Sequence, residues 1–184
     1  MEIETESNVS PVKTVKLVPS DGSGPRIVKR KVAELSLLVK EILEDDAEDG
    51  DKQEEIPLLR VSGEILDKIL TFCEHYLSDP FDEIPKPIPS ASLTSFVPIW
   101  YSIFMDEYSN NQPELYALIL AANYMDVSSL LDLSCAKLAS MMKGKRPAEL
   151  KEMFGITVDF TPEEEEEIRE ANKWVDGDVS GKKQ

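Results

Sequence analysis

Residues 56–77 read Ile56-Pro57-Leu58-Leu59-Arg60-Val61-Ser62-Gly63-Glu64-Ile65-Leu66-Asp67-Lys68-Ile69-Leu70-Thr71-Phe72-Cys73-Glu74-His75-Tyr76-Leu77. The opening Ile56-Pro57-Leu58-Leu59 suits a short buried strand. Ser62 stands where a helix N-cap belongs, and Glu64 faces the positive end of the first turn. Two apolar stripes follow side by side: Ile65, Ile69, Phe72, Tyr76 and Leu66, Leu70, Cys73, Leu77, each with spacings of four, three and four. Adjacent stripes leave little polar surface, so this helix is expected to be covered on most sides by its own domain or by a partner.

Upstream, Val15-Lys16-Leu17-Val18 alternates apolar and polar as a half-buried strand does. Asp21-Gly22-Ser23-Gly24 is a turn signal, after which Arg26-Ile27-Val28 returns as the second strand of a hairpin. Val32 to Leu43 is predicted as one helix with Leu35, Leu38, Val39 and Ile42 on its buried face. Residues 1–12 read as a flexible acidic tail. Downstream, Pro80, Pro85, Pro87, Pro89 and Pro98 break the stretch 78–98, where a long excursion is expected. A second helical block begins at Pro113, with Leu115, Leu118, Ile119 and Ala122 as its stripe. Asp126 or Ser128 starts the next helix, which carries Leu130, Leu131, Leu133, Leu138, Met141 and Met142 and ends at Lys143-Gly144-Lys145. Pro147 starts a short helix closed by Gly155, and Thr161-Pro162-Glu163-Glu164 forms a capping box for the last one.

The order is strand, hairpin return, helix, strand, helix, break, then helices alone. The fold class is therefore α/β: a small unit with a short three-stranded sheet and helices, followed by a C-terminal helical extension. Three short strands are too few for a doubly wound sheet. The domains are expected at 13–110 for the mixed unit and 111–176 for the extension, with a flexible tail at 177–184.

The chain has 184 residues, 36 acidic and 20 basic, for a formal net charge of -16. Such a balance argues against nucleic acid and against anionic membrane surfaces as partners. With 41% hydrophobic residues the chain can build a globular core. No apolar run reaches 18 residues and the N-terminus is acidic, so neither a membrane span nor a basic secretory signal is expected. Residues 44–55, EDDAEDGDKQEE, hold eight acids among twelve and read as a solvated loop. An EF-hand reading fails there: with Asp45 first, Ala47 and Ile56 occupy positions that need ligands.

Cys73 and Cys135 are expected to be reduced, mostly buried thiols, and His75, the single histidine, a helix-surface residue. One imidazole and two thiols supply neither a zinc site nor a nucleophile–histidine pair. Gly22 and Gly24 lack the third glycine of a dinucleotide fingerprint, and Lys143-Gly144-Lys145 lacks the upstream glycine of a phosphate loop. The reading finds no enzyme and no cofactor. The last helix has a thin apolar stripe, Ile168, Ala171, Trp174 and Val175. Trp174 either reaches a partner or tucks back onto the helix of Leu150, Met153 and Phe154.

Leu118-Ile119-Leu120-Ala121-Ala122-Asn123-Tyr124-Met125-Asp126, Leu130-Leu131-Asp132-Leu133-Ser134-Cys135, Met141-Met142-Lys143-Gly144-Lys145, Asp159-Phe160-Thr161-Pro162-Glu163-Glu164-Glu165 and Asn172-Lys173-Trp174 resemble the S-phase kinase-associated protein 1 family, the adaptors of SCF (Skp–cullin–F-box) ubiquitin ligases. The resemblance covers about residues 13–176 and is most specific from Pro113 to Trp174. It implies a BTB/POZ-type unit with added helices and an adaptor acting in cytoplasm and nucleus. It implies cullin contact through Asn123 and Tyr124. Its F-box-facing pattern falls on Leu130, Leu131, Cys135, Leu138, Met142, Phe154, Ile156 and Trp174. Trp100-Tyr101-Ser102-Ile103-Phe104-Met105, Asn111-Gln112-Pro113, Glu34-Leu35-Ser36 and Gly24-Pro25-Arg26 depart from the family pattern, in the half that would meet the cullin. Two other readings remain open on sequence alone: a BTB-fold scaffold that self-assembles or binds other partners without a cullin, and an acidic histone chaperone suggested by charge.

Overall fold

The structure, a computed structural model, describes residues 13–45, 55–157 and 160–173. The chain divides into two compact units, Met1–Lys143 and Gly144–Gln184. The first therefore runs past the expected boundary at residue 110 and takes in two helices assigned by sequence to the extension.

Its sheet has the order β2-β1-β3, with β1 Thr14–Pro19, β2 Arg26–Lys29 and β3 Glu55–Leu58. β1 pairs antiparallel with β2, Val15 opposite Val28, and parallel with β3, Leu17 beside Ile56. Side-chain alternation sends Val15, Leu17, Val28, Ile56 and Leu58 into the core. On the other face Lys16 meets Glu55 at 3.0 Å, an exposed pair that adds little stability.

The helix expected from Val32 to Leu43 is broken into α1 Arg30–Ala33 and α2 Leu37–Asp45. Ser36 stands at the break. Its buried hydroxyl donates to the carbonyl of Met125, 89 residues away, and accepts from the Val39 N–H at 3.2 Å. The buried residues are Val32, Ala33, Val39 and Leu43, while Leu35, Leu38 and Ile42 are half-buried.

Helix α3 spans Gly63–Ser78, and both predicted stripes are buried except at their C-terminal ends, where Tyr76 is half-buried and Leu77 exposed. Its own domain provides the cover. The cap differs from expectation: the Ser62 side chain makes no cap bond, and the Gly63 N–H donates instead to Asp21 Oδ2 at 2.8 Å. Asp21 also accepts from the Ser23 N–H, and hydrogen bonding with the Ser23 side chain, then with the Gly63 and Ser23 amides, pulls its carboxyl down to about 2. A Cβ at Gly63 would collide with the Ser23 side chain, so only glycine lets the hairpin turn approach this closely. Arg26 holds Asp67 with both forks, at 2.7 and 2.9 Å, and ties the hairpin to α3.

Residues 79–92 carry no regular secondary structure, and the Lys86–Pro87 peptide is cis. A 3-10 turn at Leu93–Ser95 leads into α4, Ile99–Asp106, a helix the sequence reading passed over. Tyr101 and Met105 on α4 are fully buried. Tyr101 packs edge-on against Phe72 and Phe81, with centroids 5.7 and 4.6 Å apart, and its hydroxyl donates to the Asp79 carbonyl at 2.5 Å. His75 is not a surface residue. Its ring is half-buried and stacks on Trp100 at 3.7 Å.

Helix α5, Gln112–Tyr124, is capped by Asn111, which accepts from the Glu114 N–H. It packs on α6, Ser128–Met142, and on α3, and buries Leu115, Leu118, Ala121 and Ala122. Asp126, between them, takes a left-handed backbone at φ 51°. The corner is clamped to the start of α2: the Leu37 and Leu38 amides donate to the Asp126 and Met125 carbonyls at 3.2 and 3.4 Å.

The second unit holds α7 Pro147–Phe154, closed by Gly155 at φ 62°, and α8 Pro162–Ala171. The expected capping box forms: Glu164 N–H donates to Thr161 Oγ1, and Thr161 N–H donates to Glu164 Oε2 at 2.8 Å. Neither helix buries a described side chain.

Inside the first unit the Lys137 ammonium, 8% exposed, is held by Asp106 at 2.9 Å and Ser109 Oγ at 2.8 Å. Asp106→Ala is expected to destabilise the fold by about 1–3 kcal/mol, because it strands a buried cation. Lys137→Met, which removes the cation itself, should cost less than about 1 kcal/mol. Urea unfolding of both variants measures the difference; equal losses would mean that packing around the lysine stem, and not its charge, joins α4 to α6.

Candidate binding surfaces

The α5–α6 corner leaves Asn123 exposed and Tyr124 half-buried. The clamp to α2 fixes both. The Arg60 guanidinium lies 5.9 Å from the centre of the Tyr124 ring, so the residues leaving β3 meet the end of α5. Leu59 is 76% exposed and Leu120, one turn before Tyr124, is 69% exposed. The sequence reading named Asn123 and Tyr124 and missed Leu59, Arg60 and Leu120. A signal for Leu59 existed: Leu58 and Leu59 are consecutive, and in a strand only one of two neighbours faces the core.

A second surface lies on α6. Its inner face, Leu130, Leu133, Ser134, Ala136, Lys137 and Ser140, is buried. Leu131, Cys135, Leu138 and Met142 follow at spacings of four, three and four, so they form one outward stripe. Leu131 and Leu138 are half-buried, Cys135 and Met142 exposed. Leu130 departs from the partner-facing role expected of it: fully buried, it supports the stripe from beneath and offers nothing to solvent. Cys135 departs from the expected burial. Partial desolvation and the nearby Asp132 carboxylate raise its thiol pKa, while deep burial pushes that of Cys73 up to about 12. Both thiols are held neutral, which suits an apolar contact and not a nucleophile.

In the second unit Phe154 is half-buried, while Ile156 beyond Gly155 is exposed, as are Phe160 and Ile168. The Lys151 ammonium stands 5.9 Å from the centre of the Phe160 ring. Trp174 and Val175 lie outside the described residues, as does most of the acidic run 44–55. Among the described residues no three His, Cys, Asp or Glu side chains gather as a metal site would require, and no helix is long and apolar enough to cross a membrane. What the described surfaces offer is apolar area edged by single polar groups, the makeup of protein–protein contact.

Two family profiles match the chain: the Skp1 family tetramerisation domain over residues 13–78 and the Skp1 family dimerisation domain over residues 128–175. The chain is 44% identical to an S-phase kinase-associated protein 1 homolog of Tetrahymena thermophila, over 81% of this chain and 86% of that protein. It is 41% identical to the E3 ubiquitin ligase complex SCF subunit sconC of Arthroderma benhamiae, over 88% of this chain and 94% of that one. The subunit of that name from Aspergillus clavatus is also 41% identical, over 89% and 98%.

A raised pKa lowers the thiolate fraction at every pH below it. In native protein near pH 7, iodoacetamide should therefore modify Cys135 alone, and more slowly than free cysteine. The rate should keep rising past the ordinary thiol range of about pH 8.5, and Cys73 should react only after unfolding. Mass spectrometry of timed samples reads this; rapid modification of Cys135 at neutral pH would contradict it.

Proposed function

The chain belongs to the Skp1 family, and from that membership we propose that it is the adaptor of an SCF-type E3 ubiquitin ligase, bridging a cullin scaffold to F-box substrate receptors in ubiquitin-dependent protein degradation. It performs no chemistry of its own and needs no cofactor. The observation that carries the reading is the separation of two exposed surfaces on different elements of one core, in a chain whose relatives are named as SCF subunits.

The cullin takes the corner of Asn123 and Tyr124, with Arg60 and Leu59 beside it. An exposed amide and a phenol ring already backed by a guanidinium can be covered with little loss of side-chain freedom. The F-box takes the α6 stripe of Leu131, Cys135, Leu138 and Met142, with Phe154, Ile156 and Trp174 from the second unit. An outward apolar stripe fits the apolar face of a partner helix. Helices α7 and α8 bury no described side chain of their own, and a partner helix gives them one to bury against. Bridging works by effective concentration: substrate and catalytic machinery held on one scaffold meet as if in a single molecule. The adaptor acts in cytoplasm and nucleus and contacts neither nucleic acid nor membrane.

The double variant Asn123→Ala, Tyr124→Ala should lose binding to a cullin N-terminal fragment and keep F-box binding. Trp174→Ala should do the reverse, weakening F-box binding by about 2 kcal/mol, roughly 30-fold. Titration calorimetry of each variant against both partners decides it. Joint loss of both in either variant defeats the two-surface reading, and a wild-type chain that binds F-box segments but no cullin is a scaffold of another kind.

A further inference from the structure

The proline-rich segment between α3 and α4 is fastened along α6. Ile84 is buried, and Ile88 is half-buried against the core. Two clamps then hold the segment on the helix. Lys86 Nζ stands 3.1 Å from both carboxylate oxygens of Asp132, and Lys143 Nζ donates to the Ile88 carbonyl at 2.6 Å.

The positions of these anchors fix the path. Asp132 on α6 and Lys143, the residue that caps its C-terminus, lie eleven residues apart, about three turns, so they fall near one line of the helix roughly 16 Å long. Lys86 and Ile88 can be no more than about 7 Å apart. Lys86 reaches from the segment to the Asp132 end and Lys143 reaches from the C-terminal end of the helix to the segment, so the stretch between the two anchors lies over the middle of α6. Cys135 is in that middle, and Lys86 is near enough to act on its ionisation.

The anchor line is rotated by about 100° from the stripe of Leu131, Cys135, Leu138 and Met142. The segment thus stands beside the stripe as a side wall. Its tip is built for apolar contact: Pro85, Pro87 and Pro89 are exposed, offer ring carbons, and leave no N–H unpaired when water is excluded. Anchored by buried Ile84 and half-buried Ile88, it also needs little ordering when a partner arrives.

We propose that residues 85–89 form the side wall of the receptor-binding face and determine which F-box helices this chain accepts. The proposal rests on the reading of the α6 stripe as the F-box surface. A partner helix laid on the stripe meets the wall with the side chains flanking its own apolar face. Receptors with small or apolar residues there fit, and those with bulky charged residues are turned away.

The test uses the full chain and a panel of recombinant F-box segments measured by biolayer interferometry. Replacing residues 85–89 by Gly-Ser-Gly-Ser-Gly should weaken binding by about fivefold or more for some segments and little for others, while cullin-fragment binding stays within about twofold. In an otherwise unaltered chain, photoreactive benzoyl-phenylalanine in place of Pro89 should crosslink to bound F-box segments, whereas the same group in place of Lys29 on β2 should not. Affinities unchanged across the whole panel, with no crosslink from position 89, overturn the wall. If the replaced chain fails to fold, the crosslink alone decides. If the wild-type chain binds no F-box segment, the adaptor reading itself falls and takes the wall with it.

Discussion

A single buried ammonium sets the terms for the first unit. Lys137 points into the interior from α6, and a cation there is tolerated only with its partners in place. Those partners, Asp106 and Ser109, lie at the end of α4 and just beyond it. Helix α6 therefore cannot drift away from α4 as a loosely attached extension. It sits in the same core as the sheet, with Leu130 and Leu133 beside the lysine on its inner face. Fixing the inner face also fixes the outer one, and the rotation that buries Lys137 turns Leu131, Cys135, Leu138 and Met142 outward. The outward rotation of this stripe is thus set together with the burial of Leu130, Leu133 and Lys137 on the opposite side of the helix.

A comparable logic holds at the α5–α6 corner. Asp126 takes a backbone conformation that only a few residue types tolerate. The surrounding bonds enforce it: the Ser36 hydroxyl and the Leu38 amide both meet the Met125 carbonyl, and the Leu37 amide meets that of Asp126. Asn123 and Tyr124 immediately precede this knot, so their presentation depends on a serine 87 and 88 positions earlier in the chain. The bend that splits the first helix and the bend that presents Asn123 and Tyr124 are two ends of one contact.

Much of this was legible in the sequence wherever the physics is local. Alternation along Val15–Val18 and the short run Ile56–Leu59, read as buried, placed two strands, and the double stripe of Ile65 to Leu77 placed α3. Thr161 with Glu164 placed the start of α8. The failures share a cause, since each turns on a partner far away in sequence. Ser62 looks like a cap, yet Asp21 supplies the acceptor from the hairpin turn. Ser36 looks helical, yet its hydroxyl is claimed by Met125. His75 looks like surface until Trp100 stacks on it, and Trp100 belongs to a helix hidden behind Pro98, where the apolar residues show no clean face. Periodicity could not separate Leu130 from Leu131 either. Neighbouring leucines on α6 differ only by 100° of rotation, and the choice between core and surface is made by the packing of the whole inner face, Leu130, Leu133, Ala136 and Lys137, against the rest of the first unit.

The two units suit different parts of an adaptor's task. The first is a closed core that can carry force and position between two partners without deforming, as close-packed interiors do. The second presents helices that are locally well specified, by Pro147 and Gly155 in α7 and by the Thr161 capping box in α8, but that bury none of their described side chains. Helices of eight and ten residues are marginal in water on capping alone. Docking a partner would supply the missing burial, and some of the resulting energy would be spent on holding these helices in place. Affinity for such a partner would then fall below what the apolar area alone suggests, because part of the burial energy goes into ordering the helices.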